Sequence, residues 1–241
     1  MNTSADPSKT TTQTRSAYEY LRGEILGGRL LPGHKLAVVA LAASCDVSPG
    51  AIREALAMLE ADSLVISSPQ RGFRVSPASA RDLMHLSQAR IEIEKICLAE
   101  AITNGGLAWE SHVVASFHHL SRLPAQRDGQ PQDPAWITAH AEFHRALVAG
   151  CTNPWLLKVH QMLYEHTERY RQLAAPLQGH SKRDVAAEHQ ALLNAVLSKD
   201  IPLTQTLIAA HLQTTVDLLL RAPNALSLRT ETADERSSTL F

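Results

Sequence analysis

The sequence has little cysteine, and the cysteines that it has are far apart. Cys45, Cys97 and Cys151 are odd in number and show no CxxC spacing. A disulfide framework needs paired cysteines and a thiolate zinc site needs closely spaced ones, so neither is expected. We predict reduced cysteines that fill the hydrophobic core.

Long hydrophobic runs are also missing. Residues 1–14 are polar and lack the apolar segment of a signal peptide, and no stretch approaches the ~20 apolar residues of a membrane span. We therefore expect a cytoplasmic protein that does not bind a membrane. The 241 residues suffice for one or two domains, each with a core of its own.

A surplus of one charge is absent too. The formal net charge is −1, and residues 14–78 hold seven basic residues against six acidic ones. The basic excess that often marks a nucleic-acid binder is therefore missing. A DNA-binding role for this segment would require locally placed positive groups, and we expect such a protein to act as a dimer.

The composition divides the chain into four parts. Polar segments at both ends predict disordered tails. Ser76-Pro77-Ala78 separates a stretch with strand-like residues from one that is helical throughout, which places a domain boundary after Ala78. The predicted parts are a tail at 1–13, a first domain at 14–78, a second domain at 79–221 and a tail at 222–241.

The first domain begins with three predicted helices. Apolar residues at helical spacing predict a helix over Ala17–Leu26 and a short one over Ala37–Ser44. Ser48 can cap a third helix, and Pro49 suits its first position, where a missing N–H costs nothing.

The third of these helices has the pattern of a DNA recognition helix. Ile52 and Leu56 face inward, while Gly50 and Arg53 lie on the outer face, where such a helix presents side chains to the major groove. Short helix pairs also occur in many folds that do not touch DNA, so this pattern alone leaves a purely structural role open.

A β-hairpin follows the helices. The β-prone runs Leu64–Ile66 and Phe73–Val75 flank a turn that contains Gly72. Three helices and a two-stranded wing predict a winged helix-turn-helix.

The second domain is predicted to be an all-helical antiparallel bundle. No strand pattern interrupts residues 79–221, and about six helices are indicated. Helix start signals stand at Ser79, Asn153-Pro154, Ser181 and Asp200-Ile201-Pro202.

Four histidines of this bundle are placed to converge. His140 and His144 are four residues apart, so they share one helix face. His189 and His211 each lie eleven residues from Asp200, the turn between the last two helices, which puts them at the same depth of an antiparallel hairpin. Four imidazoles suit a divalent transition metal, zinc or nickel. Because the chain has twelve histidines, accidental spacing and ordinary core roles remain the alternative.

Metal binding would require these imidazoles to be neutral, so we expect the ion to be released below pH ~6.5, the ordinary histidine pKa. The remaining histidines, His160 among them, are interpreted as structural or exposed. Arg90 precedes Glu94 by four residues, a spacing that suits either an ion pair on a solvated face or an anion-binding group.

The first domain resembles the GntR family of bacterial regulators over Leu21–Val75. The resemblance is carried by a VSxxxxREAL helix at Val47–Leu56 and by Arg71-Gly72 at the wing tip. In that family the helix enters the major groove and the wing reaches the minor groove. The resemblance implies DNA contacts from Ser48, Gly50, Arg53, Arg71 and Gly72.

This chain also departs from its relatives. Pro49 stands where many of them carry arginine, and Val38, Val39 and Ala40 stand where a Glu-Arg-Glu run is common. Groups that often contact bases or phosphates are therefore missing, so the resemblance implies no particular operator sequence.

The second domain resembles the FCD effector domain. The residues that carry this resemblance are Arg90-x-x-x-Glu94, His140-x-x-Phe143-His144, Glu188-His189 and His211. It implies a metal held by the four histidines, although most FCD sites have Asp at the position of His140. It also implies that Arg90, and more weakly Arg169, holds an effector carboxylate. Gln70–Val75 and Trp109-Glu110 further resemble the branch of carbon-starvation-induced repressors.

These features predict a homodimeric transcriptional repressor. Its affinity for double-stranded operator DNA would change when a small organic acid binds near the metal. A metal-dependent hydrolase fused to a DNA-binding domain is the competing interpretation, since histidine-bound zinc can activate water. No HExxH or nucleophile motif supports it, and Glu142 lies about 200° around the helix from His140. In a third interpretation the bundle serves only dimerisation.

Overall fold

A computed structural model of the chain describes residues 7–68, 72–124, 133–174 and 183–221. The chain divides into two compact units, and the division falls between Ser79 and Ala80. The described residues form nine helices and a small antiparallel sheet. The predicted, mainly helical fold class is therefore confirmed. Within these ranges no helix is long and apolar enough to cross a membrane.

Unit one opens with a helix that is longer than predicted. α1 spans Pro7–Leu26, so the prediction of a disordered tail over 1–13 is wrong for residues 7–13. Glutamine favours helices, serine and threonine cost at most roughly 0.7 kcal/mol each, and proline is tolerated in the first turn. Contacts with α3 hold the helix, because Thr14 is buried and donates to Glu54 Oε2 at 2.8 Å. Residues 1–6 and the predicted tail at 222–241 lie outside the described residues.

The next two helices agree with the sequence pattern. α2 spans Val38–Cys45 and α3 spans Pro49–Ala61. Asp46 ends α2 in the left-handed conformation (φ 52°), which aspartate tolerates better than most residues. Ser48 caps α3 by accepting a hydrogen bond from the Ala51 N–H at 3.2 Å, and Pro49 occupies the first turn.

The wing contains one strand more than the predicted two. β1 (Lys35–Leu36) pairs with β3 (Gly72–Val75), which pairs with β2 (Val65–Ser68), and both pairings are antiparallel. A strand of two residues is too short for an alternation of polar and apolar side chains to be recognised, so the sequence does not predict β1. Its pairing is fixed by the main chain, because His34 O accepts from the Val75 N–H at 3.0 Å.

Unit two is a bundle of six helices in its described part. Aspartates cap three of them: Asp133, Asp184 and Asp200 accept hydrogen bonds from the N–H groups of Ala135, Ala187 and Leu203. The predicted start signal at Ser181 is thus placed too early, since Asp184 is the N-cap. The helices are α4 (Ala80–Asn104), α5 (Leu107–Ser121), α6 (Pro134–Val148), α7 (Pro154–Ala174), α8 (Val185–Leu197) and α9 (Ile201–Leu220).

The central helix of the bundle is α4, which packs against α6, α7 and α9. Its buried face includes apolar residues such as Ile91, Leu98 and Ala101, but also Arg90 and Glu94. Charged residues are rarely buried unless they are paired, so this polar stretch inside an apolar core marks a site.

Candidate functional site

The four predicted histidines meet inside unit two. His140 and His144 come from α6, His189 from α8 and His211 from α9, and all four are buried. One candidate ligand atom from each lies within 4.8 Å of the others. The ring centroids of His140 and His144 are 4.6 Å apart, and those of His189 and His211 are 4.9 Å apart. The hairpin symmetry around Asp200 therefore identified neighbours correctly.

Several nitrogens of this cluster have no hydrogen-bond partner among the residues that the structure describes. They are His140 Nδ1, both nitrogens of His144, and His189 Nε2. Leaving a buried polar atom unpaired costs roughly 1–3 kcal/mol, so such atoms call for an explanation. A metal ion would satisfy them together, and an all-imidazole set suits zinc, nickel or another divalent transition metal. The residues present therefore fit a metal.

Burial keeps these imidazoles in the form that binds metal. Desolvation lowers the pKa of all four, and repulsion between the rings adds to the effect at His140 and His189. The pKa of His211 falls to about 4, although Glu188 partly opposes the shift. Since the folded protein resists protonation of these rings, we expect metal release at a more acidic pH than the 6.5 inferred from the ordinary histidine value.

His211 has a hydrogen-bonded carboxylate behind it. Its Nδ1 lies 2.7 Å from Glu188 Oε2, which leaves Nε2 free to face a metal. Arg183 donates two hydrogen bonds to the same carboxylate, from Nε to Oε1 at 2.7 Å and from Nη2 to Oε2 at 2.5 Å. Burial raises the pKa of Glu188, but hydrogen bonds from Arg183 and His211 outweigh it and bring the pKa to about 2. Carboxylates of this kind orient a ligand histidine and fix its tautomer.

Glu94 forms a second buried carboxylate beside the cluster. Its Oε2 lies 3.0 Å from His160 Nε2 and 3.5 Å from Arg90 Nε, and its Oε1 lies 3.9 Å from His144 Nδ1. Burial alone would raise the pKa of Glu94, but His160 and Arg90 hold it well below the usual range. The predicted Arg90–Glu94 pair exists, but it is buried and does not lie on a solvated face. His160 is a core residue of this site, and its single position in the sequence gives no sign of it.

A cavity of about 540 Å³ opens onto the histidines. Its volume falls in the range of roughly 300–1,000 Å³ that is usual for small-molecule sites. His140, His144 and His211 line it together with Arg90, whose Nη1 donates to Thr167 Oγ1 at 2.9 Å. Arg90 also stacks over the Tyr164 ring, with Cζ 4.7 Å from the centroid.

The structure does not place Arg169, a predicted effector contact, at the described cavity. Arg169 is buried but is not among the described residues that line the cavity, and its electrostatic neighbours are Tyr170 and Asp82. Arg171 lines the cavity instead, because it follows Tyr164 by seven residues and so shares its face of α7. Arg169 is two residues away, about 200° around the helix.

Arg183 is a second cavity residue that the sequence analysis missed. It precedes α8 and reaches α9, where it donates to Thr215 Oγ1 at 2.8 Å and to the His211 carbonyl at 2.7 Å. The sequence does not reveal this role of Arg183, because it does not show which faces of α8 and α9 point into the bundle.

Unit one presents the predicted DNA-facing residues. Gly50 and Arg53 are exposed on α3, whereas Ile52 and Leu56 are fully buried. Arg53 forms no ion pair within the described ranges, so its guanidinium is available. Ser48 is exposed but uses its side chain as the α3 cap.

The tip of the wing is described only in part. Gly72 has a positive φ of 73°, a conformation that favours glycine, so its main role is to shape the wing. Arg71 lies outside the described residues.

Two family models match the chain. The model of bacterial regulatory proteins of the gntR family matches residues 13–75, and the FCD domain model matches residues 85–214. These matches cover the segments for which the winged helix-turn-helix and the helical effector domain were predicted.

Two curated relatives align over most of the chain. The HTH-type transcriptional regulator BphR of Paraburkholderia xenovorans (strain LB400) is 35% identical over 85% of this chain and 84% of the relative. The HTH-type transcriptional repressor GlaR of Escherichia coli (strain K12) is 32% identical over 88% of this chain and 98% of the relative.

Solved structures show the same fold. E. coli McbR/YncC superposes with a TM-score of 0.72 at 22% identity, covering 88% of this chain and 99% of the other. A putative transcriptional regulator GntR from Rhodococcus sp. RHA1 superposes with a TM-score of 0.70 at 21% identity and covers the same shares. At these identities the likeness concerns the fold alone.

Proposed function

The chain belongs to the GntR family of bacterial regulatory proteins with an FCD domain, and from this premise we propose that it is a repressor controlled by an organic acid bound beside a metal. The family and the named relatives are transcription regulators, so the chain is a transcriptional regulator and not an enzyme. Glu142 pairs with Arg145 and His112 at the surface and does not face the histidine cluster.

The observation that carries the proposal is a cavity that brings Arg90 together with three histidines of the four-histidine cluster. Neutral imidazoles contribute no charge of their own, so a bound divalent ion would keep both of its positive charges. Arg90 lines the same cavity, and its distance of 3.5 Å from Glu94 is longer than a strong charge-assisted hydrogen bond. An anion that contacts both would be strongly favoured in this buried setting.

The metal would be held by His140, His144, His189 and His211, and it would supply a positive centre with room for a carboxylate oxygen. Glu188 orients His211, and Glu94 lies against His144. Arg90 supplies the planar fork that suits a carboxylate. The histidines, Glu94 and Arg90 are buried, which strengthens each of these attractions.

On the DNA side, we assign the base contacts to α3. Arg53 is the exposed, outward-facing cation of α3, and the small residue Gly50 allows close approach to the groove. Ser48, Arg71 and Gly72 complete the proposed interface. We further propose a homodimer in the cytoplasm, because two winged helices on a palindromic site would compensate for the weak net charge of each. GlaR is a repressor, which favours repression as the sign of regulation. The placement in the carbon-starvation-induced branch stays a prediction.

A thermal-shift screen tests the effector site. Zinc-loaded protein is heated with a panel of mono- and dicarboxylates, and a ligand present at 100 times its dissociation constant stabilises the folded state by about 2.7 kcal/mol. Arg90→Ala should lose this stabilisation. Arg145→Ala is the matched control, because Arg145 is exposed and paired with Glu142 on the surface.

The same acids should weaken binding of the wild type to an operator selected in vitro from random duplexes. Arg90→Ala should bind that operator with unchanged affinity and ignore the acids. Equal responses of Arg90→Ala and wild type to every active acid would refute the assignment of Arg90.

A further inference from the structure

The cavity changes from polar to apolar along its length. On α4 the lining residues are Arg90, Ser87 and Leu83, which share one helix face. Arg90 belongs to the histidine end, because it contacts Glu94, which in turn lies against His144. Seven residues separate Arg90 from Leu83, which corresponds to roughly 10 Å along the helix axis.

The same gradient is seen on α9. Near the histidines α9 lines the cavity with His211, Leu212 and Thr215, and farther from them it does so with Val216, Leu218 and Leu219. Two helices thus place apolar side chains at the end of the cavity that is remote from the metal ligands. Along these two helices, a ligand meets charged and polar groups near the histidines and hydrocarbon farther away.

Of the three arginines that line the described cavity, only Arg90 does not bind a carboxylate through two of its nitrogens. Arg171 donates from two nitrogens to the Glu168 carboxylate, and Arg183 binds both oxygens of Glu188. Glu168 also lines the cavity, and Arg171 compensates its charge. The site therefore has one place for a carboxylate.

Ser87 adds a polar group in the middle of the cavity. It is 4% exposed and lines the cavity, and its Oγ has no hydrogen-bond partner in the described part of the chain. Three residues separate it from Arg90, or roughly 4.5 Å along the axis. A buried hydroxyl without a partner is costly, and an oxygen on the ligand would satisfy it.

We propose that the effector is a monocarboxylic acid with an apolar chain that bears one hydrogen-bonding oxygen. The carboxylate lies at Arg90, the oxygen lies at Ser87, and the chain extends toward Leu83 and Leu219. This inference rests on the proposed function and specifies the ligand class of the same site. It excludes dicarboxylates, whose second charge would have to lie in the apolar end.

Titration calorimetry on the zinc-loaded full chain tests the class. The probes are acetate, butyrate and hexanoate, together with the dicarboxylate adipate, which has the length of hexanoate. Each methylene buried should tighten binding about fourfold, and adipate should bind at least tenfold more weakly than hexanoate. Adipate that binds as tightly as hexanoate, or affinity that does not rise with chain length, would overturn the proposal.

Two variants of Ser87 test whether the ligand chain extends into the cavity beyond Arg90 and whether the Ser87 hydroxyl contacts the ligand. Ser87→Leu should abolish hexanoate binding and spare acetate, because the added side chain blocks the cavity beyond Arg90. Ser87→Ala should erase the preference for 5-oxohexanoate over hexanoate, which we expect to be about fivefold in the wild type. Gln88→Leu is the control, since Gln88 is exposed on the same helix. Unchanged hexanoate binding in a folded Ser87→Leu protein would contradict the inference.

The outcomes separate this inference from the proposed function. If acetate and adipate bind in an Arg90-dependent way but chain length has no effect, the carboxylate site stands and the apolar chain is wrong. If no probe binds, and Arg90→Ala equals the wild type throughout, both fail. Because the ratio of hexanoate to adipate affinity is measured on the wild type, the test does not depend on any variant folding.

Discussion

Replacing Glu94 by glutamine should destabilise unit two strongly. Glu94 is fully buried, with its carboxylate between Arg90 Nε at 3.5 Å and His160 Nε2 at 3.0 Å. Glutamine keeps the shape and removes the charge, so Arg90 is left as a buried cation without its counter-ion. Breaking a buried ion pair from one side costs about 3–5 kcal/mol, because the remaining charge cannot recover its hydration. This is a large share of the roughly 5–15 kcal/mol that stabilises a typical domain.

Tryptophan fluorescence in a urea titration measures the effect. The three tryptophans, Trp109, Trp136 and Trp155, all belong to unit two, so the signal reports that unit alone. Chelator should be present, so that bound metal does not contribute. Glu92→Gln is the matched control, because Glu92 is exposed, lies on the same helix and pairs only with Lys95 in the described contacts. Surface pairs of that kind contribute about 0–1 kcal/mol.

The pH dependence of the difference identifies its origin. Because the pKa of Glu94 is depressed by His160 and Arg90, its contribution is complete above the ordinary carboxyl pKa of about 4.5 and is lost as pH falls through the folded value. The gap between wild type and Glu94→Gln should therefore narrow below about pH 4.5. At neutral pH, the free energies of unfolding of Glu94→Gln and Glu92→Gln should differ by more than about 0.5 kcal/mol, the scatter expected of surface variants. A smaller difference would refute the reasoning.

Three further predictions concern DNA, metal and pH. In a mobility-shift titration at fixed salt, Arg53→Ala should weaken operator binding by about 1–3 kcal/mol, or roughly 5- to 150-fold. Arg15→Ala on α1 should leave the affinity unchanged. Equal affinities of the two variants would show that α3 does not bind in the groove. Elemental analysis of untagged protein should find a transition metal. His211→Ala should lose this metal, whereas His118→Ala should keep it, because His118 is exposed. Equal metal content in both variants would contradict the four-histidine site. Burial lowers the pKa of all four ligand histidines, so the metal-free protein should lose stability as pH falls from about 6.5 toward 4. The loss should be at most about 1.4 kcal/mol per histidine per pH unit. Urea midpoints that do not change between pH 7 and 5 would contradict this prediction.

Local sequence signals predicted the parts of this structure that short-range physics determines. Ser48 and Pro49 start α3 where capping chemistry requires, and Asp200 caps α9. The convergence of His189 and His211 was also accessible, because residues equidistant from a helical turn lie side by side whatever surrounds them. These inferences need only helix geometry and a single turn.

The missed features depend on contacts between elements that are distant in sequence. β1 is too short to show a pattern, and it exists because the main chain near His34 meets β3. Arg171 was not predicted as a cavity residue, because sequence alone does not show which face of α7 meets the cavity. His160 and Glu94 are 66 positions apart, and only the packing of α4 against α7 brings them together.

Each of the two carboxylates beside the histidines lies between an arginine and an imidazole, and the contacts of Glu188 are shorter than those of Glu94. Glu94 lies between the cavity residue Arg90 and His144, and Glu188 lies between the cavity residue Arg183 and His211. An anion that draws an arginine away from its carboxylate leaves that carboxylate freer to accept a proton from the imidazole, which makes the imidazole a stronger metal ligand. Metal binding and effector binding are therefore expected to strengthen each other, and by linkage the factor must be the same in both directions. A response that needs both ligands would report the metal supply together with the metabolite.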